Sequence, residues 1–519
     1  MRIKRILGVI LAITLLFLCG CSPVAPEPPA QEDPTLEEMR DSRYVYLTVW
    51  SWQVPTVEEA GAYAQKAKEC GFTALDFGVL WSAFEPLRGH FDWRYLDGVV
   101  QAFVEAGLKV SLQPMLWTEG LSWVDDLVLQ ETENGTAYTM EDRGAYLSFA
   151  DEKTLSIVEN TLQNFALHAQ SNYGQHLTRW GVRLSCFGEF DYSVNEALDY
   201  SDSAKNRFYD YLQETYGSWQ NLSEARGLLI ASRKDLETMD LQKVIKSCYG
   251  DWRRFRQERL FDLLDRMIDI YRSADPSVPV VFSLGTYGNG MNTAYSGVVD
   301  LWSAVEEHDV DIVALSFCDG ADGDMMLSLI TSFTTKKISM EVDGAWALEE
   351  GRNVGSLVDL CGKHGVFSLA TANFTLNQLD AYKETLSSYP ERFFSSGTLG
   401  DRDPTRAILI LSNELAESQP PKSYDALYGD LWDTLSEQGV RRVRFVTEEQ
   451  IASGDVSLEG VEALYPGKIK GLVVVSQEFA EALAKTDTTL QGDLSFYFLD
   501  GSTPEGDLKT ALADRIQGE

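Results

Sequence analysis

The chain has 519 residues, 44% of them apolar and 24% charged, enough for one large domain and a smaller one. Asp and Glu number 79 against 44 Lys and Arg, a formal charge of −35. Such a surface repels phosphate backbones and anionic lipid, so nucleic acid is excluded as a partner. Seven cysteines and five histidines are scattered without CxxC or HExxH spacing, which disfavours a metal site.

In chain order, Arg2, Lys4 and Arg5 precede a 13-residue apolar run, Ile6 to Leu18, short for a membrane span. Leu18-Cys19-Gly20-Cys21 resembles the lipobox of bacterial lipoproteins. That resemblance implies a signal peptide over 1–20, lipidation of Cys21 and a site in the cell envelope outside the cytoplasm. The only membrane contact expected is through this anchor. Residues 21–42 hold a Pro-rich tether, with four prolines between Ser22 and Asp33. The remaining cysteines, Cys70, Cys186, Cys248, Cys318 and Cys361, read as small buried apolar residues.

From residue 43 strands and helices alternate. Strands are expected at Tyr44–Trp50, Thr73–Val79, Leu108–Pro114, Thr178–Glu189, Val278–Leu284, Ile312–Phe317, Lys337–Val342 and Val366–Ala370. Helical spacing separates them over 56–70, 95–106, 153–173, 251–273, 297–307, 324–334 and 353–363, with long connections over 117–150 and 190–250. Eight such repeats predict a (β/α)8 TIM barrel over 43–400. No Gly-rich phosphate loop follows the first strand, which disfavours an open doubly wound sheet. Asp401–Pro404 marks a boundary, and 401–519 reads as a small open-sheet α/β domain. Its expected strands are Thr405–Ser412, Val443–Thr447, Gly471–Val475 and Phe496–Leu499, with a helix over 427–439.

Glu189 and Glu341 end the fourth and seventh expected strands. All strand C-termini of such a barrel meet on one face, so two carboxylates would flank one pocket, as cleavage of a glycosidic bond requires. One carboxyl must stay protonated for the leaving group and the other ionised toward the anomeric carbon. Aromatic side chains near strand ends, Trp50, Trp52, Trp81, Trp117, Tyr287 and Trp346, are candidates to stack on sugar C–H faces. Glu85, Asp343 and Asn373 are candidate hydroxyl ligands. Glu85 reads equally as a rim ion-pair partner, and Asp343 as a turn cap.

The stretch Trp81-Ser82-Ala83-Phe84-Glu85-Pro86-Leu87-Arg88-Gly89-His90-Phe91-Asp92-Trp93 resembles the signature after strand two of clan A glycoside hydrolases, above all family 42 β-galactosidases. Gly107-Leu108-Lys109-Val110, Met115-Leu116-Trp117, Ser122-Trp123, Asn134-Gly135, Phe208-Tyr209-Asp210-Tyr211-Leu212 and Tyr216-Gly217 continue the likeness. The resemblance implies a retaining double displacement without cofactor, on an oligosaccharide or glycoside, with Glu189 as general acid/base and Glu341 as nucleophile. A second copy of the chain is a candidate partner. Gly188 stands where the family carries Asn, and Ser316-Phe317-Cys318-Asp319-Gly320 replaces its Tyr-containing strand-six motif. Gly188-Glu189-Phe190-Asp191-Tyr192 also resembles the Gly-Glu-Leu-Arg-Tyr stretch of the inverting β-amylases. Two alternatives therefore stand beside the first reading: an inverting, β-amylase-like glycosidase, and a catalytically inactive carbohydrate-binding lipoprotein.

Overall fold

The computed structural model describes residues 43–140, 143–184, 189–193, 197–285, 297–299, 301–316, 320–334 and 336–396. Beyond these it describes 407–411, 428–429, 432–433, 436–437, 443–447 and 472–473. The lipobox, the tether, Cys21, Tyr287, the Phe317–Asp319 motif and the expected last strand lie outside the described residues.

Eight parallel strands form one sheet. They are β1 Val45–Trp50, β2 Ala74–Leu80, β3 Lys109–Met115, β4 Leu177–Trp180, β5 Val281–Gly285, β6 Ile312–Ser316, β7 Lys337–Val342 and β8 Ser368–Thr371. Their order is β4-β3-β2-β1-β8-β7-β6-β5. The two ends of that order meet: the Trp180 N–H donates to the Pro279 carbonyl at 2.7 Å and Trp180 bridges Val280, closing the barrel. Above this point the Phe190 N–H donates to the Ser283 carbonyl at 2.9 Å.

Helices cover the outside. The first, Val57–Glu69, starts at a capping box in which Thr56 and Glu59 satisfy each other's backbone N–H. Asp151 caps Glu152–Tyr173 with its side chain, which accepts from the Thr154 N–H. These helices bury one apolar face, for example Leu96, Val99, Val100 and Phe103 of Arg94–Glu105.

Three departures from the expected pattern bear on the site. The fourth strand is regular only to Trp180. The Gly181 carbonyl is taken by the Tyr271 hydroxyl at 3.0 Å, so the chain leaves the ladder and rejoins β3 at Arg183, through Leu116 and Pro114. The Leu184 N–H then donates to the Glu189 carbonyl at 3.0 Å. The 190–250 connection carries four helices, Asp202–Tyr216, Trp219–Arg226, Arg233–Glu237 and Leu241–Ser247. They enclose their own apolar cluster, including Phe208, Leu212, Leu222, Leu236 and Trp252, against the start of the long helix Tyr249–Ala274. The 117–150 connection folds on itself through antiparallel bridges, Leu129 with Leu147, Glu131 with Ala137 and Thr139 with Ala145.

A second sheet holds β9 Ala407–Leu411, β10 Val443–Thr447 and β11 Leu472–Val473, all parallel, in the order β10-β9-β11. The Phe445 N–H donates to Ser332 Oγ at 3.0 Å, joining β10 to the helix Gly320–Phe333 that precedes β7.

Candidate active site

Side chains alternate along a strand, so every second residue of each barrel strand enters the interior. Here that interior is polar and charged along part of its length. Asp76 of β2 accepts from Arg179 at 3.0 Å, from Arg183 at 3.3 Å and from the Gln113 amide. Arg179 also donates to Ser111 Oγ at 3.2 Å and to Ser339 Oγ at 2.9 Å, and lies 4.1 Å over the Tyr46 ring. Neither Asp76 nor the two arginines reach solvent to any useful extent. Burial opposes ionisation of Asp76, but Arg179, Arg183, Ser111 and Gln113 outweigh it and hold its carboxyl below the ordinary range. Burial likewise pushes the Tyr46 hydroxyl up to about 12, against the pull of Arg179.

Glu341 lies one residue from the end of β7 and is 4% exposed. Its Oε2 accepts from Arg183 at 2.8 Å and from the Thr48 hydroxyl at 3.3 Å. Its Oε1 is buried and has no hydrogen-bond partner among the described residues. A buried carboxylate oxygen without a protein donor costs free energy unless water or a ligand satisfies it, so Oε1 is the open side of this carboxylate. Glu189 is fully buried, and its backbone is tied to Leu184, next to Arg183, on one side and to Ser283 of β5 through Phe190 on the other. Burial alone would lower the Arg183 pKa, but the charges of Glu341, Asp76 and Glu189 together reverse this and raise it. Of the two predicted carboxylates, Glu341 bonds this guanidinium directly.

Arg183 also covers the Trp50 ring at 4.6 Å, Trp50 stacks on Trp52 at 5.4 Å, and Arg143 lies 4.3 Å over Trp52. The Trp50 indole N–H donates to Asn373 Oδ1 at 2.8 Å, and Asn373 Nδ2 donates to Asp343 Oδ2 at 2.7 Å. Asn373 holds φ at 71°, an uncommon position for a side-chain-bearing residue, at the turn after β8. Asp343 Oδ1 accepts from the Trp346 N–H at 3.0 Å, capping the helix Gly344–Glu349. Trp346 on that helix is 41% exposed, with Arg352 4.0 Å over its ring. Trp50, Trp52, Asp343, Trp346 and Asn373 thus form one connected set at the mouth beside Glu341.

Three predicted ligands lie elsewhere. Glu85 is buried and spends its carboxylate internally: Oε2 accepts from the Trp81 indole and Thr161, each at 2.7 Å, and Oε1 from the Gly89 N–H at 2.7 Å. It is neither a free hydroxyl ligand nor an ion-pair partner in these contacts. Trp81 is fully buried and meets Trp123 edge-on at 5.0 Å, a core contact rather than a sugar platform. Trp117 is fully buried too, its indole N–H 3.3 Å from Glu119.

The sequence reading did not single out Thr48, Asp76, Gln113, Arg179 or Arg183. A signal was present: Asp76 interrupts an apolar strand, and Arg179 and Arg183 stand four apart beside it, an opposite-charge pattern a barrel interior must pair. No group of three or more His, Cys, Asp or Glu side chains among the described residues could hold a metal ion. No described helix is long and apolar enough to cross a membrane.

The family model Glyco_hydro_42, described as beta-galactosidase, matches residues 51–313. The β-galactosidase BbgII of Bifidobacterium bifidum is 22% identical over 265 residues, 48% of this chain and 35% of that protein. The chain thus covers well under two thirds of that relative's length. Among solved structures, a polyextremophilic β-galactosidase from the haloarchaeon Halorubrum lacusprofundi has a TM-score of 0.63 at 14% identity, over 89% of this chain and 74% of that one. The catalytic domain of β-amylase from Paenibacillus polymyxa has a TM-score of 0.52 at 17% identity, over 67% of this chain and 98% of that one. At these identities both structural likenesses speak for the barrel fold. With the family model covering half of the sequence, the chain belongs to glycoside hydrolase family 42.

Proposed function

We propose that the chain is a glycosidase that cleaves O-glycosidic bonds of β-galactosides or related oligosaccharides by a retaining, two-glutamate mechanism. The observation that carries this is Glu341: a buried carboxylate at a strand C-terminus, with Oε2 held by Arg183 and Thr48 and Oε1 left without a donor. In the first step Oε1 attacks the anomeric carbon while Glu189 gives its proton to the leaving oxygen. In the second, Glu189 takes a proton from water, whose oxygen displaces Glu341 from the sugar. Trp346, 41% exposed, offers an indole surface for sugar C–H groups, and Asp343 and Asn373 offer polar atoms for hydroxyls.

The direct test is turnover of a panel of aryl β-glycosides and oligosaccharides by wild type, Glu341→Ala and Glu189→Ala. Turnover by wild type, lost in Glu341→Ala and restored in Glu189→Ala by azide with an activated leaving group, is the expected result. Absence of turnover with intact sugar binding in all three would favour a carbohydrate-binding protein instead. The β-amylase-like stretch around Glu189 supports an inverting alternative, in which Glu341 acts on water. NMR of the first-formed anomer separates the two outcomes.

We further propose that the chain is a lipoprotein anchored through Cys21 in the cell envelope, on the strength of its basic, apolar and lipobox-like start. Detergent-phase partitioning that is lost in Cys21→Ser is the expected result, and unchanged partitioning would refute it.

A further inference from the structure

We infer that Arg143 is a specificity-determining residue that binds an anionic group, a carboxylate or a sulfate ester, on the saccharide this site accepts. The inference rests on the glycosidase reading above and names its substrate class.

The backbone sets the place of Arg143. The Thr118 N–H donates to the Ala145 carbonyl at 3.1 Å, and the Ala145 N–H to the Thr118 hydroxyl at 2.7 Å. Gly144 lies so close to this segment that a Cβ there would meet Glu119 N at 2.6 Å, and its φ of 80° suits glycine. Residues 143–145 are thus pinned to the chain just after β3, where the Leu116 N–H also donates to the Arg183 carbonyl at 2.9 Å. From there the Arg143 side chain reaches to Trp52, just after β1, and lies 4.3 Å over its ring. Since β2 separates β1 from β3, the side chain spans part of the barrel mouth. Trp52 stacks on Trp50, Arg183 covers Trp50, and Arg183 bonds Glu341. With two indoles and Arg183 between Arg143 and Glu341, the group that Arg143 meets belongs to the sugar next to the reacting one.

The open donors of Arg143 give this placement its use. A guanidinium carries N–H donors and no acceptor. Among the described residues that of Arg143 meets no carboxylate and no other acceptor, and the residue is only partly buried. The chain has acid to spare, 79 Asp and Glu against 44 Lys and Arg, and Arg88, Arg207 and Arg266 each hold a carboxylate. The carboxylates around the mouth are spent on other groups. Glu119 lies 3.3 Å from the Trp117 indole N–H, Asp343 takes the Trp346 N–H and the Asn373 amide, and Glu341 takes Arg183 and Thr48. A second guanidinium, Arg352, lies at the same mouth over Trp346. Contact with the Trp52 ring orders the Arg143 fork in advance and leaves its N–H edges open. Such a fork takes a planar carboxylate or a sulfate through paired hydrogen bonds. The net charge of −35 repels anions at long range, so an anionic saccharide gains only from a direct contact of this kind.

The test uses three β-galactosyl disaccharides that differ in the leaving sugar: one neutral, one a uronate and one a sulfate ester. Turnover of each by wild type, Arg143→Gln and Arg143→Lys is measured, with folding checked by thermal melting. Wild type is expected to prefer an anionic probe over the neutral one by about 10-fold or more in kcat/KM. Arg143→Gln is expected to lose about 10- to 100-fold on that probe, mainly through KM, the range for a charged hydrogen bond. On the neutral probe it is expected to stay close to wild type. Arg143→Lys, which keeps the charge but loses the planar fork, is expected to recover part of the loss. The arm that responds, uronate or sulfate, identifies the group. Calorimetric binding of the same probes reads the anion contact whether or not they are cleaved. Equal loss on all three probes marks Arg143 as a scaffold residue and overturns the inference. A wild type without anionic preference, or a preference unchanged in folded Arg143→Gln, overturns it too. A wild type that binds an anionic probe through Arg143 but cleaves no glycoside overturns the glycosidase reading instead.

Discussion

Gly78 is where backbone space and chemistry meet most directly. A Cβ at this position of β2 would lie 2.5 Å from Cε3 and 2.8 Å from Cζ3 of Trp50, and 3.0 Å from Sδ of Met115. Carbon atoms in contact settle at about 3.5–4.0 Å, so Gly78→Ala asks the Trp50 ring to retreat by about 1–1.5 Å. The ring has little freedom to do so: Asn373 holds its N–H, Trp52 stacks on it and Arg183 covers it. Overpacking of this kind costs about 1–3 kcal/mol, and a displacement of about 1 Å next to reacting groups costs about 100-fold in rate. The variant is expected to melt earlier and to lose kcat/KM by about that factor on any glycoside the wild type cleaves. A smaller ring relieves the clash, so Gly78→Ala with Trp50→Phe is expected to be more stable than the sum of the two single changes predicts. Additive melting data, or a Gly78→Ala enzyme of unchanged stability and rate, would refute the packing argument.

Other perturbations separate scaffold from site. Asp76→Asn leaves Arg179 and Arg183 buried without their shared anion and is expected to cost about 3–5 kcal/mol by denaturant or thermal unfolding. The Asp76 carboxyl is held below its ordinary range in the folded chain. The folded state therefore binds fewer protons there than the unfolded one, and this stabilisation, present above the unfolded Asp value of about 3.9, is lost as pH falls through the folded one. A stability–pH curve should lose that acid dependence in Asp76→Asn. Glu85→Ala orphans the Trp81 and Gly89 N–H groups and the Thr161 hydroxyl. It is expected to lower stability by about 3 kcal/mol, since each buried donor left unpaired costs about 1–3 kcal/mol, while KM of the folded enzyme stays put. Trp346→Ala is expected to do the reverse, raising KM several-fold with little change in melting temperature, because Trp346 is 41% exposed.

The sequence carried the barrel well because parallel strands buried on both faces stand out against amphipathic helices. Lys337–Val342 is a strand over the whole range expected for it. It carried the path of β4 poorly: what pulls the chain out of register at Gly181 is a hydroxyl from Tyr271, 90 residues away. Glu85 makes the same point for function. Two of its donors, Trp81 and Gly89, are local, but the contact with Thr161 that completes its burial comes from a distant helix. An aromatic residue after a strand does not by itself distinguish core from cleft, which is why Trp81 and Trp117 joined Trp52 and Trp346 on the candidate list. The arginines were hidden for the opposite reason. Charged residues inside a strand read as surface until the partner strands place Asp76 between them.

The barrel closes along two joints, β1 against β8 and β4 against β5. Cut there, it falls into two half-barrels, and each holds one of the two glutamates. Glu189 travels with β1–β4, together with Thr48, Asp76 and Arg183, while Glu341 travels with β5–β8. Neither half contains a complete pair of carboxylates, and Arg183 reaches across from one to grip the glutamate of the other. On the proposed two-glutamate reading, competence is a property of assembly: it requires the two halves to dock, and the Arg183–Glu341 contact reports that docking.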